Sequence, residues 1–288
     1  MHFDAHLAIC ILYCYPKTSR DNFDASDVGH PADFYHDFLR RYVPKATVDV
    51  LFPADPWVEL PTGANLSSYD AYIWTGSDLT IYHHDDPRVT RQIDLARAIY
   101  EAGVPCYGSC WGVQMAAVAA GGEVKKNPKG REWFLARDIQ LTAEGRQSPL
   151  YVGKPRCFDG FIMHLDEVTR LPPGATLLAT NEHTHVQALE VKHGKGTFWA
   201  TQYHPEYNLY EMARLIKARA KPLIKEGFFQ ETAEVHALAD KTIDLHRHPD
   251  SQPLREELNV GDDILTAEIK EVELRNWIDH LVLPSLRR

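Results

Sequence analysis

The sequence predicts an α/β fold: an open, mostly parallel sheet with helices on both faces and a helical extension at the C-terminus. Three observations predict it. Over the first two-thirds of the chain, short apolar runs alternate with segments of helical periodicity, which is the pattern of a parallel sheet covered on both sides. After Gly122, strand-like runs follow one another across short turns, which implies an antiparallel or mixed extension of that sheet. From about residue 226 the chain becomes more charged and the pattern turns helical. We therefore expect one α/β domain over 1–225 and a helical extension over 226–288.

Taken in order, "LAICILY" (7–13) reads as a buried first strand and "PADFYHDFLRRYV" (31–43) as a helix. "TVDVLF" (47–52) is a second strand, and "YDAYIWTG" (69–76) is a third that ends on a glycine. The run 86–103 is an amphipathic helix, with Val89, Ile93, Leu95, Ala96 and Ile99 near one face and Gly103 as its stop. "VPCYG" (104–108) is a fourth strand that leads into a small-residue helix closed by Gly121-Gly122. Strands then follow at 136–142, 175–181, 186–194 and 197–204. A closing helix covers 208–224 and is expected to break at Pro222, which cannot donate to the helical ladder. Helical patterns at 232–248 and 263–284 make up the extension.

Composition narrows the functional classes. The 288 residues are 44% hydrophobic and 25% charged, with a formal net charge of −9, which is ordinary for a soluble globular protein. An acidic chain without a basic stripe is a poor nucleic-acid binder. The nine-residue apolar run at 7–15 is too short to span a bilayer, and Asp4 stands where a signal peptide would carry positive charge. The five cysteines (10, 14, 106, 110 and 157) lack framework spacing, so reduced thiols and a cytoplasmic location are expected.

The chemistry concentrates at residues 106–122. A Gly-x-Cys-x-Gly between a strand and a helix forces a sharp turn in which neighbouring Cβ atoms would clash. It places Cys110 at the carboxyl edge of the sheet, where open α/β folds bind ligands, and at a helix N-terminus that favours a thiolate. The Trp111 amide then points towards a developing oxyanion. A cysteine nucleophile needs a base, and the base needs an orienting group. Ninety-four residues downstream an apolar strand ends at His204, Pro205 stiffens the turn, and Glu206 can reach the imidazole.

Together these segments resemble the class I (triad) glutamine amidotransferase family, whose signatures are a G-x-C-x-G-x-Q elbow and a Q-x-H-P-E ending. Here they read Gly108-Ser109-Cys110-Trp111-Gly112-Val113-Gln114 and Gln202-Tyr203-His204-Pro205-Glu206. "DAYIWTGS" resembles the family's oxyanion strand, with Gly76-Ser77 at its turn, and "MHLDEVTRLPPGA" resembles its H-x-D-x-V segment, at His164 and Asp166. The resemblance covers about residues 5 to 220. It implies a three-layer, flavodoxin-like fold and a Cys110–His204–Glu206 triad. It also implies an oxyanion hole from Gly76, Ser77 and Trp111, and substrate contacts from Gln114, His164 and Asp166.

What the resemblance leaves open is the group released. There is no G-x-x-x-x-G-K-[ST] loop and no G-x-G-x-x-G in a βαβ context, and the tail is too short for an ATP-using domain. No cofactor is expected. The favoured expectation is a free-standing hydrolase that splits a small-molecule γ-glutamyl amide through a glutamyl thioester. The alternative is a glutaminase subunit feeding ammonia to a separate synthetase, and a remote one is a non-catalytic binding module. A homo-oligomer is compatible with each. Trp74 and Tyr82, with Trp111 after the nucleophile, are candidates to line a pocket for a bulkier amine, against the plainer reading that they pack the core. "HHDD" (83–86), "HTH" (183–185) and "HRH" (246–248) lack a carboxylate or cysteine at ligand spacing, so no metal is expected.

Overall fold

The unbroken apolar run near the N-terminus forms β1 (Ala8–Leu12), the strand on which the sheet is built. The computed structural model describes residues 6–287, so Met1 to Ala5, including Asp4, lie outside the described residues. Strand alternation sends the side chains of β1 to two separate cores. Ile9 and Ile11 enter one, and Cys10 and Leu12 enter the other.

After β1 come α1 (Lys17–Ala25), α2 (Pro31–Tyr42), β2 (Thr47–Leu51), β3 (Ala71–Trp74), α3 (Pro87–Ala102), β4 (Cys106–Ser109) and α4 (Trp111–Ala119). Next are β5 (Glu123–Lys126), β6 (Glu132–Leu141), β7 (Cys157–His164), β8 (Asp166–Arg170), β9 (Ala175–Thr180), β10 (Ala188–His193) and β11 (Gly196–Thr201). The nine-stranded sheet runs β2-β1-β3-β4-β11-β10-β9-β6-β7, with β5 and β8 as a separate ribbon. Its first five strands are parallel, in the doubly wound order of a flavodoxin-like sheet. From β11 onward every pairing is antiparallel. The strand ends that carry Trp74, Ser109 and Thr201 therefore lie side by side at one edge.

Helix boundaries follow local chemistry. Asp86 caps α3 by accepting from the Arg88 amide, Pro87 occupies its first turn, and Gly103 ends it at φ 78°. The five apolar residues predicted for its inner face are all buried. The closing helix is two helices, α5 (Leu209–Ala218) and α6 (Ala220–Lys225). The break falls at Arg219 rather than at Pro222, because the proline lacks the N–H that would bond to Ala218 and its ring crowds that carbonyl.

The tail forms α7 (Thr232–Arg247), α8 (Gln252–Leu258), α9 (Asp262–Leu265), α10 (Ala267–Lys270) and α11 (Val272–Trp277). Val235, Ala239, Leu245, Leu274 and Trp277 share one core with Ile9, Ile11 and Tyr107 of the sheet. Trp277 meets the Tyr107 ring at 6.0 Å between centroids. Among the described residues no helix is long and apolar enough to cross a membrane.

Candidate active site

Cys110 sits between β4 and α4 at φ 54° and ψ −95°, a conformation that L residues rarely adopt and that a rigid frame must hold. Its amide donates to the Thr201 carbonyl at 2.8 Å, tying the turn to β11. The flanking glycines are there because the chain folds tightly on itself. A Cβ at Gly108 would lie 2.7 Å from the Gly112 Cα, and one at Gly112 would lie 3.2 Å from the Trp74 carbonyl oxygen. As the first residue of α4, Trp111 offers an N–H with no intrahelical acceptor.

The other two predicted members arrive from the end of β11. His204 Nδ1 lies 2.6 Å from Glu206 Oε1, and the ring interacts electrostatically with Cys110. Ser109 Oγ donates to the same Glu206 oxygen at 2.8 Å and accepts from the Tyr35 hydroxyl at 2.8 Å. A buried series thus runs Tyr35–Ser109–Glu206–His204–Cys110. Burial works against a charged imidazole, but the Glu206 carboxylate and Cys110 outweigh it, and His204 is raised to about 10. The raised value favours the protonated ring at neutral pH.

This raised value predicts a pH dependence of stability. The contribution of His204 is complete below its ordinary value of 6.5 and is lost as pH rises through about 10. Urea unfolding across that window should show wild type losing more stability than Glu206→Gln, in which the carboxylate is gone. Parallel losses in the two chains would show that the raised imidazole is not the source.

Cys110 and His204 open on a cavity of about 220 Å³. Gln114, His164 and Asp166 line it on one side, with Gln114 Nε2 3.5 Å from the Asp166 carbonyl oxygen. Ser77 also lines it, and Gly76 lies beside His204. A Cβ at Gly76 would lie 3.3 Å from His204 Cε1, and Ser77 Oγ donates to the Cys14 carbonyl at 3.0 Å, fixing the turn. His164 is fixed on both ring nitrogens, by the Asp166 carbonyl at 2.9 Å and Glu132 Oε2 at 3.0 Å.

The aromatic residues proposed for an amine pocket are placed differently. Trp74 is fully buried in the core beneath the elbow, because strand alternation turns it to the face opposite Ile73. The Trp111 ring lies in the same core, its Nε1 donating to Gln92 at 3.0 Å, so its side chain is turned away from the cavity. Tyr82 lies outside the cavity and reaches it through Asp166, to which its hydroxyl donates at 3.1 Å. The aromatic lining is instead Tyr15 and Tyr207, the latter packed 4.9 Å from the His204 ring. Tyr15 follows the end of β1 at the sheet's carboxyl edge, a position that the topology rule marks as ligand-facing. Asp78 and Arg219 complete that side, 3.8 Å apart. Among the described residues no cluster of His, Cys, Asp and Glu could hold a metal ion.

Fold and site define the class of protein: a doubly wound α/β chain that presents a thiol beside a hydrogen-bonded imidazole–carboxylate pair at the carboxyl edge of its sheet. Residues 83–220 match the family model of glutamine amidotransferase class-I. Over 288 aligned residues the chain is 36% identical to a γ-glutamyl-L-1-hydroxyisopropylamide hydrolase of a Pseudomonas species, covering 96% of this chain and 95% of the relative. A glutamine-hydrolysing GMP synthase of Clostridium novyi is 31% identical over 136 residues, which is 47% of this chain and 24% of that one. The chain thus spans only about a quarter of that synthase. A glutamine amidotransferase of Thermotoga maritima shares the fold with a TM-score of 0.66 at 19% identity, over 96% of this chain and 99% of the other. The chain belongs to the class I glutamine amidotransferase family.

Proposed function

We propose that the protein is an amidohydrolase that splits the γ-glutamyl C–N bond of a small γ-glutamyl amide, releasing glutamate and an amine. The observation that carries this reading is the near end-to-end similarity to a hydrolase of that kind, combined with the Cys110–His204–Glu206 series at the cavity. Cys110 Sγ attacks the side-chain amide carbon and the carbonyl π pair moves onto oxygen, where the amides of Trp111 and the Gly76-Ser77 turn stabilise it. Such donors contribute about 3 kcal/mol each in comparable sites. His204 gives its proton to the departing nitrogen and the C–N bond breaks, leaving a glutamyl thioester. Water then loses a proton to His204 and attacks the thioester, and the thiolate leaves with glutamate free. Glu206 holds the imidazole in place throughout.

The leaving nitrogen must lie on the His204 side of the sulfur. The amine therefore extends towards Tyr15, Tyr207, Leu215 and Pro222, with Asp78 and Arg219 at its polar end. That mixture suits a short amine with an apolar body and a hydrogen-bonding terminus, and the Gln114, His164 and Asp166 side is left for the glutamyl head. The five free thiols accord with a reducing, cytoplasmic setting.

A second reading is favoured by the partial similarity to GMP synthases: a glutaminase that passes ammonia to a separate synthetase. Incubating the purified protein alone with glutamine and a panel of γ-glutamyl amides separates the two. We expect kcat/KM for a γ-glutamyl amino alcohol to exceed that for glutamine by at least about tenfold, the effect of about 1.4 kcal/mol of differential binding. Cleavage of glutamine alone, and only with a synthetase present, would overturn the hydrolase reading.

A further inference from the structure

The extension does more than cover one face of the sheet. Its short helices α10 and α11 pack directly behind the turn that carries His204 and Glu206. Lys270 Nζ donates to the Pro205 carbonyl at 2.8 Å. One turn later, Glu273 Oε1 accepts from the Tyr203 hydroxyl at 2.6 Å and pairs with Lys154 Nζ at 2.9 Å, with both charged groups almost wholly buried. The residues gripped are the immediate neighbours of His204 on either side. The grip is itself anchored, because Glu271 takes both guanidinium nitrogens of Arg41 at 2.9 and 3.1 Å. Lys270 and Glu206 line one cavity of about 420 Å³ on the side away from Cys110. Glu206 Oε2 is buried and finds no hydrogen-bond partner among the described residues, so that carboxylate is held through Oε1 and through the backbone of its turn.

From this geometry we infer that Lys270 and Glu273 are positioning residues for the His204–Glu206 pair, and that the C-terminal helices thereby complete the active site. The physical basis is that a misplacement of about 1 Å, caused by a change remote from the chemistry, can cost about a hundredfold in rate. Removing Lys270 frees the peptide between His204 and Glu206, while removing Glu273 frees Tyr203 and strands the Lys154 charge. The inference rests on the hydrolase reading for its kinetic consequence but not for its structural one.

The test uses the full chain with Lys270→Met, Lys270→Arg and, as a control in the same extension, Lys241→Met, whose partner is the exposed Glu257. The first readout needs no substrate: the short His204 Nδ1–Glu206 contact should give a strongly downfield ring N–H proton signal. We expect that signal in wild type, Lys270→Arg and Lys241→Met, and its loss or broadening in Lys270→Met. The cavity beside Lys270 leaves room for the larger guanidinium. The second readout is kinetic: kcat of Lys270→Met should fall by roughly tenfold or more with KM within about twofold, and Lys270→Arg should recover most of it. An unchanged signal and kcat in Lys270→Met would overturn the inference, as would a kcat loss equal to the loss of folded protein measured by circular dichroism. If wild type cleaves no γ-glutamyl amide, the hydrolase reading fails and the proton signal alone decides the positioning role.

Discussion

Cys110→Ala is expected to abolish turnover, with kcat/KM lowered by about 10⁴-fold or more, while Cys106→Ala is expected to leave it within about twofold. Both cysteines flank the same glycine turn, yet their surroundings differ. Burial in the apolar core pushes the Cys106 thiol up to about 12, and its sulfur donates to the Val104 carbonyl, away from the cavity. Cys10 and Cys14 are raised by burial in the same way. Cys157 is exposed, but residual burial and the Asp138 carboxylate raise its thiol as well. Only Cys110 faces the cavity with an imidazolium and a helix N-terminus beside it. Brief alkylation followed by mass mapping should therefore label Cys110 first, with activity lost in proportion and protection by a γ-glutamyl substrate. Equal loss of turnover from the Cys106 and Cys110 variants would sink the assignment.

How much of this was legible in the sequence depended on how local each feature is. The parallel half of the sheet could be read because each apolar strand is followed by a helix with its own cap or stop, as at Asp86, Pro87 and Gly103. The elbow could be read because its glycines and cysteine fall within five residues and the closest approach, Gly108 to Gly112, is local, although Gly112 itself is crowded by Trp74. The helix α1 was missed because it buries only Phe23, which leaves no periodic stripe. Strands β5 and β8 were missed for a related reason, since their exposed, charged residues carry no apolar alternation, and β7 was missed because its Asp159-Gly160 pair reads as a turn. Trp74 was misplaced because adjacent residues in a strand face opposite layers, and the sequence does not say which layer holds the site. Lys270, Glu132 and Arg219 act through partners far along the chain, so nothing in their neighbours marks them.

Glu132 carries the largest expected effect on stability. Its carboxylate is buried and receives four side-chain contacts. Asn181 Nδ2 donates to Oε1 at 2.6 Å, while Thr184 Oγ1 and Gln187 Nε2 at 2.9 Å and His164 Nε2 at 3.0 Å meet Oε2. Burial alone would raise its pKa, but His164 and the amide and hydroxyl donors outweigh it, and the carboxyl is lowered from its ordinary 4.5. Glu132→Ala leaves those donors without their acceptor inside the protein, which should cost about 3–5 kcal/mol, or roughly 10 °C in Tm. Because the folded value is depressed, the contribution is present above the ordinary carboxyl range and is lost as pH falls through the folded value. Wild type should accordingly lose stability on acidification more steeply than Glu132→Gln, which cannot titrate. The same change reaches the cavity on which Cys110 and His204 open, since His164 loses one of its two anchors while the other still points to the Asp166 backbone. We expect Glu132→Gln to raise KM for the γ-glutamyl substrate more than it lowers kcat, because the Gln114–Asp166 side loosens while Cys110 and His204 stay in place. A thermal melt of Glu132→Ala that matches wild type would show that this network does not hold the cavity wall.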